Sequence, residues 1–210
     1  MGVPVLILGE SGSGKSASLR NFEPNEICIY NVANKPMPFR KKLPVLATAN
    51  YNDIKTSIAK GYRKTYVIDD SQYLLCFESF AKAKESGYGK YTDMALHFYN
   101  LIQFVITQTP DDTIVYFLHH TETDSNTGKV KAKTLGKMLD NQLTVEGLFA
   151  IVLMCTTDGK RHTFITQSDG LTTCKSPMDM LDPEMDNDLK LVDDKIREYY
   201  EMGKRVKTDD

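Results

Sequence analysis

Residues 3–16 read VPVLILGESGSGKS. The first six are a continuous apolar run ending at a glycine, as expected of a strand buried on both faces of a parallel sheet. The next eight, Gly9, Glu10, Ser11, Gly12, Ser13, Gly14, Lys15 and Ser16, satisfy G-x-x-x-x-G-K-[ST] at every position. By residue frequencies a chance match in a chain this long arises roughly 1% of the time. Here the motif also follows a strand and opens a short helix, expected over residues 15–21 and stopped before Pro24. Glycines in such a turn let backbone N–H groups converge on phosphates, and the helix start adds positive potential. Lys15 then reaches the β- and γ-phosphates, the Ser16 hydroxyl coordinates magnesium, and Ala17 completes the nucleotide contacts. The expected ligand is ATP with Mg2+; the bland alternative is a glycine turn between strand and helix.

Working outward, residues 26–32 (EICIYNV) read as a second strand. Residues 34–44 hold three prolines and read as a loop. Asn52 or Asp53 can cap a helix running through Lys60 and ended by Gly61. Residues 65–70 (TYVIDD) form the next buried strand, followed by helical patterns at 71–84 and 92–108. In the latter, Met94, Phe98, Leu101, Ile102 and Val105 recur at helical spacing on one face. Residues 85–91 (ESGYGKY) separate the two helices. Strands are expected at 113–118 and 148–154, with an edge strand at 162–167. A last amphipathic helix begins near Asp186 and shows Leu189, Val192 and Ile196 on one face. Strands alternating with helices imply an α/β fold: a mainly parallel sheet with helices on both faces. One domain is expected over residues 1–202, with a disordered polar tail at 203–210.

The apolar strand ending in Asp69 lies about fifty residues past the glycine motif, where Asp69 can hold magnesium through its water shell. Asp70 is a candidate base for an attacking water, or a helix cap. The strand at 113–118 leads into His119, His120 and Glu122. In parallel sheets functional groups gather at the carboxyl ends of strands, so this cluster is a candidate for sensing phosphate or orienting water. Lys129, Lys131, Lys133 and Lys137 make the densest basic stretch. Such a run is a solvated face, a contact for DNA phosphates, or a reach toward ATP held by a neighbouring subunit.

The 210 residues are 41% hydrophobic and 26% charged, with a formal net charge of −2. That balance supplies no global attraction to nucleic acid, so any DNA contact must come from local patches. Cys28, Cys76, Cys155 and Cys174 form no C-x-x-C pair and read as reduced thiols rather than a zinc site. The apolar stretches are too short to span a membrane, and no basic leader with a cleavable apolar region is visible. A cytoplasmic location is expected.

Taken together, GESGSGKS, YVIDD, FLHHTE, KTLGKMLD followed by EGLFAIVL, and CKSP with DNDL give the chain its likeness. From residue 3 to about 200 it resembles the bacteriophage-encoded RecA-like ATP-binding proteins grouped with the phage single-strand annealing recombinases. The resemblance implies a RecA-like P-loop ATPase fold and Mg-dependent ATP hydrolysis. It further implies action on single-stranded DNA in replication or recombination, in the cytoplasm of an infected bacterium. A homo-oligomer, and a phage single-strand-binding or helicase partner, are implied as well. His119 or His120 would occupy the place of the γ-phosphate sensor, and residues 121–133 that of a DNA-binding loop. Residues 85–91 would occupy the other DNA loop, where Tyr88, Lys90 and Tyr91 suit base stacking and phosphate contact. A lysine finger acting between subunits would be Lys131, Lys133 or Lys137. Adenine contacts are expected near Lys175 and Pro177.

Two departures from that pattern stand out. The second strand ends in YNVANKP, without the glutamate that RecA-like enzymes place there, so Asp70 or Glu122 substitutes or hydrolysis is weak. The segment that lets RecA proteins build filaments is not seen ahead of the glycine motif. A weakly hydrolysing, ATP-dependent adaptor or loader for a helicase or annealing protein is the first alternative. A nucleotide kinase is the second; it needs an arginine-rich lid, whereas Arg20, Arg40, Arg63, Arg161, Arg197 and Arg205 are scattered.

Overall fold

The protein is described by a computed structural model over residues 1–135 and 143–203. Lys137 and the tail beyond Gly203 lie outside these described residues. The elements in chain order are β1 (Val3–Leu8), β2 (Ile27–Asn31), β3 (Val45–Ala47), α1 (Tyr51–Ala59), β4 (Thr65–Asp69), α2 (Gln72–Ala81) and α3 (Gly89–Gln108). They continue with β5 (Ile114–His119), β6 (Thr121–Thr123), β7 (Val130–Ala132), β8 (Ile151–Thr157), β9 (His162–Ile165), β10 (Glu184–Asp186) and α4 (Leu189–Tyr199). A 3-10 turn at Ser16–Asn21 follows the glycine motif.

An eight-stranded sheet in the order β10-β9-β8-β1-β5-β4-β2-β3 forms the centre. The six strands from β8 to β3 are parallel; β9 and β10 are antiparallel additions at one side. Side chains alternate across it as the pleat requires. Leu6, Leu8, Val115 and Phe117 face α1, α2 and α3, meeting Ile54, Leu74, Phe98 and Leu101. Val5, Ile7, Tyr116 and Leu118 face the opposite side, meeting Leu19, Phe22, Leu189, Val192 and Ile196. Both faces are thus covered by helices, which is why β1 and β5 read as unbroken apolar runs. The fold is α/β with a mostly parallel sheet, and its strand ends meet at one edge.

Several expectations shift in detail. The helix over 51–59 is capped by Asn50, whose side chain accepts from the N–H groups of Asn52 and Asp53; the cap therefore precedes the residues predicted for it. β3, just past the proline-rich segment 34–44, was not expected because its three side chains are exposed and carry no burial pattern. β9 is no edge strand: β8 pairs it on one side and β10 on the other. Residues 85–91 are not wholly a loop, since α3 begins at Gly89 with Tyr88 as its N-cap. Residues 121–133 fold as a two-stranded antiparallel hairpin, β6 with β7. Among the described residues no helix is long and apolar enough to cross a membrane.

Candidate functional site

β5 lies between β1 and β4, so the glycine loop, the β5 end and Asp69 converge on one edge of the sheet. They border a cleft of about 310 Å3. Ser11, Gly12, Gly14, Lys15, Ser16 and Ala17 line one wall. Asp69, Asp70, His120, His162 and Lys35 line the rest, with Pro36 and Pro38 at the rim.

The glycine loop is held from behind. Gly9 N–H donates to His119 O at 3.2 Å. Ser13 O accepts from His162 Nδ1 at 2.7 Å and from the Cys155 thiol at 3.0 Å. Gly14 has φ of +103°, and a Cβ there would lie 2.9 Å from His162 Nδ1, so only glycine fits without displacement. The buried Ser13 hydroxyl has no hydrogen-bond partner among the described residues. Lys15 Nζ donates to Gly9 O at 2.7 Å and Glu10 O at 2.8 Å, and burial lowers the pKa of its ammonium.

Opposite the loop, Ser16 Oγ donates to Asp69 Oδ1 at 2.8 Å. Burial pushes the Asp69 carboxyl up to about 6, with the Ser16 bond pulling the other way. A hydroxyl and a carboxylate side by side are the oxygen donors that magnesium takes, and a glycine loop with a buried lysine beside it suits phosphate. The residues present therefore fit a magnesium-triphosphate ligand.

Asp70 sits in a left-handed backbone conformation, φ 61°, and both its oxygens are engaged. His120 Nε2 donates to Oδ1 at 3.0 Å, and Lys35 Nζ to Oδ2 at 2.6 Å. Burial alone would raise this carboxyl, but the His120 and Lys35 hydrogen bonds outweigh it and hold it at about 2. So held, Asp70 is a weak proton acceptor at neutral pH.

The two adjacent histidines separate. His119 is fully buried: its Nε2 donates to Lys133 O at 2.8 Å, and its Nδ1 accepts from the Ser71 hydroxyl at 2.8 Å. It belongs to the scaffold and does not line the cleft, whereas His120 does. Glu122 is on the hairpin, paired with Lys131 at 3.2 Å, and is not among the cleft residues.

The basic and aromatic candidates lie elsewhere. Lys129 and Lys133 are exposed, and Lys133 N–H donates to His120 O at 2.9 Å, fastening the hairpin to the cleft. Tyr88 is exposed; Lys90 donates to Lys82 O and Glu85 O and sits 5.4 Å above the Tyr91 ring. Lys175 exchanges backbone bonds with Val152, and neither it nor Pro177 lines the cleft.

Sequence reasoning missed Lys35, His162 and Asn31. Lys35 lay in a segment read only as a proline loop. His162 reaches the glycine loop through an antiparallel strand addition that no spacing encodes. No protein-family model matches the chain, and no curated protein matches it.

Proposed function

We propose that this chain is a Mg-dependent ATP-binding protein and ATPase of RecA-like fold that acts on single-stranded DNA in phage replication or recombination. The observation that carries the nucleotide reading is the convergence of Lys15, the Ser16–Asp69 pair and the glycine loop on one cleft. Loop N–H groups and the Lys15 ammonium bind phosphate oxygens, which exposes little of the negative charge to solvent. Magnesium, held by Ser16 and through water by Asp69, would neutralise charge on the terminal phosphates. His120, fixed by Asp70, orients polar groups at the far end of the cleft.

The DNA reading is supported by the resemblance and by one physical link. His119 and His120 are bonded through Lys133 to the hairpin that carries Lys129 and Lys131. A shift of His120 on contact with phosphate therefore moves a basic hairpin, the kind of ordering that phosphate sensing produces in switch segments. A second reading, the weakly hydrolysing adaptor, is favoured by the engagement of both Asp70 oxygens, which makes Asp70 a weak acceptor for a proton from water.

ATP turnover at low salt, with and without single-stranded DNA, tests both readings, with Lys15→Ala as the blank. Stimulation by DNA that fades as salt rises supports the ATPase acting on DNA. Tight ATP binding with negligible turnover and no DNA effect transfers support to the adaptor.

A further inference from the structure

We propose that Lys35 contacts the terminal phosphate in cis, so that the cleft distinguishes a nucleoside triphosphate from a diphosphate. The inference rests on the nucleotide reading above and deepens it.

Lys35 lines the same cleft as Lys15 and the glycine loop, but from the segment that follows β2. Its position is built, not incidental. Asn31, at the carboxyl end of β2 and level with Asp69 on β4, is buried. Its side-chain amide donates to Lys35 O at 2.6 Å and accepts from Lys35 N–H at 3.2 Å. A buried amide devoting both its groups to one peptide fixes where that residue's side chain starts. Pro36 then restricts Lys35 to extended backbone, and Asn34 makes the preceding turn with φ 52°.

The side chain itself is not enclosed. It is 58% exposed, its ammonium lies 5.1 Å above the Tyr73 ring, and its hydrogen bond is to Asp70 at 2.6 Å. An ammonium has three donors, so Asp70 leaves capacity for another oxygen. If Lys35 swings toward a phosphate, Asp70 keeps its bond from His120 and is not left unpartnered. A phosphate carrying more than one negative charge competes well for such a cation. Lys15 already gives two of its three donors to the carbonyls of Gly9 and Glu10 at the base of the loop. Lys35 is therefore a second cation lining the cleft for the outermost phosphate. The lysines of the hairpin are less well placed: Lys131 is paired with Glu122, and neither Lys129 nor Lys133 lines the cleft.

The test is calorimetric titration of the full chain, in magnesium, with ADP and with a non-hydrolysable ATP analogue. Lys35→Ala is expected to weaken the triphosphate analogue about tenfold or more while leaving ADP within about twofold, the loss of one charge-assisted contact. Lys35→Arg is expected to keep the discrimination. Equal affinities of wild type and Lys35→Ala for the analogue, or an equal loss for both nucleotides, overturns the proposal and leaves the nucleotide reading standing. Arg and Ala variants that lose the analogue equally overturn it too. If wild type binds neither nucleotide, the reading beneath it fails and the proposal falls with it.

Discussion

Acidification should destabilise this protein through His119, and the effect can be separated from the titration of Asp69. The imidazole is fully buried between Ser71 and Lys133 O, with the Phe98 ring 5.8 Å away. Burial lowers its pKa to about 4, helped by the charges of His120 and Lys15, although the bond to Lys133 O pulls upward. The folded value is thus depressed below the unfolded 6.5, so the unfolded chain binds the proton first. Stability is fully present above pH 6.5 and is lost as pH falls toward 4. The whole shift is worth about 3 kcal/mol, of which about 2 kcal/mol is already expressed at pH 5.

Asp69 works in the opposite direction, since its folded value of about 6 exceeds the unfolded one and favours the folded state on acidification. A single pH profile would therefore mix the two. The clean perturbation is His119→Gln, whose amide can still donate to Lys133 O but does not titrate. Urea unfolding of both proteins at pH 7.5, 6 and 5 gives the difference directly. Wild type should lose about 2 kcal/mol more than the variant between pH 7.5 and 5, because the Asp69 contribution cancels in the comparison. Parallel profiles would refute the claim that a neutral, buried imidazole bonds the hairpin to the sheet.

Gly14→Ala should cost about 1–3 kcal/mol, from a left-handed backbone and the approach to His162, and should also weaken nucleotide binding; unchanged melting and titration curves would contradict the loop geometry. Arg197→Met should destabilise by about 3–5 kcal/mol in urea, because it strips the 2.6 Å partner from Asp193, a buried carboxylate that also serves Thr65 and Tyr116; a neutral result would mean that Asp193 is not charged in the fold. Asp69→Asn should raise the melting temperature at pH 7.5 and not at pH 4, since the ionised buried carboxylate costs about 3 kcal/mol relative to its protonated form above pH 6. The same variant should lose magnesium-dependent nucleotide binding, and a fall in melting temperature at pH 7.5 would count against it.

The parts of the fold that sequence revealed are those whose side chains are buried on both faces. Residues 3–8, 66–68 and 114–118 are unbroken apolar runs because helices cover each side of the sheet. Met94, Phe98, Leu101, Ile102 and Val105 follow helical spacing because α3 lays one face on that sheet, and all five are fully buried. β3 escaped notice because Val45, Leu46 and Ala47 are exposed and directly follow a segment whose prolines signal a loop. The site divides in the same way. The convergence of Lys15, Ser16 and Asp69 was legible, because each ends or follows an apolar strand whose carboxyl end lies at the same side of a parallel sheet. The separation of His119 from His120 was not, because it depends on which ring packs beneath α3. Lys35 was hidden for a further reason: its place comes from Asn31, a hydrogen bond pair between strand end and loop, and such pairs leave no periodic mark.

Under the proposed function, several local costs in this cleft have a common explanation. A chain optimised only for stability would not bury Lys15 and Asp69 at one edge, hold Asp70 at a positive φ, and leave the Ser13 hydroxyl without a partner. Each costs free energy in the protein alone. The buried charges are mutually consistent, however: two cations lining one cleft, a hydroxyl and a carboxylate beside each other, and a loop whose glycines permit close backbone approach. A polyanion with a divalent cation would offset the burial of both charges at once, by neutralising Asp69 and engaging the Lys15 ammonium. Binding that offsets several local penalties together must raise the stability of the folded state, with a size set by ligand concentration over its dissociation constant. The thermal shift produced by magnesium and ATP, compared between wild type and Asp69→Asn, therefore measures how much of the strain in this edge of the sheet exists for the ligand.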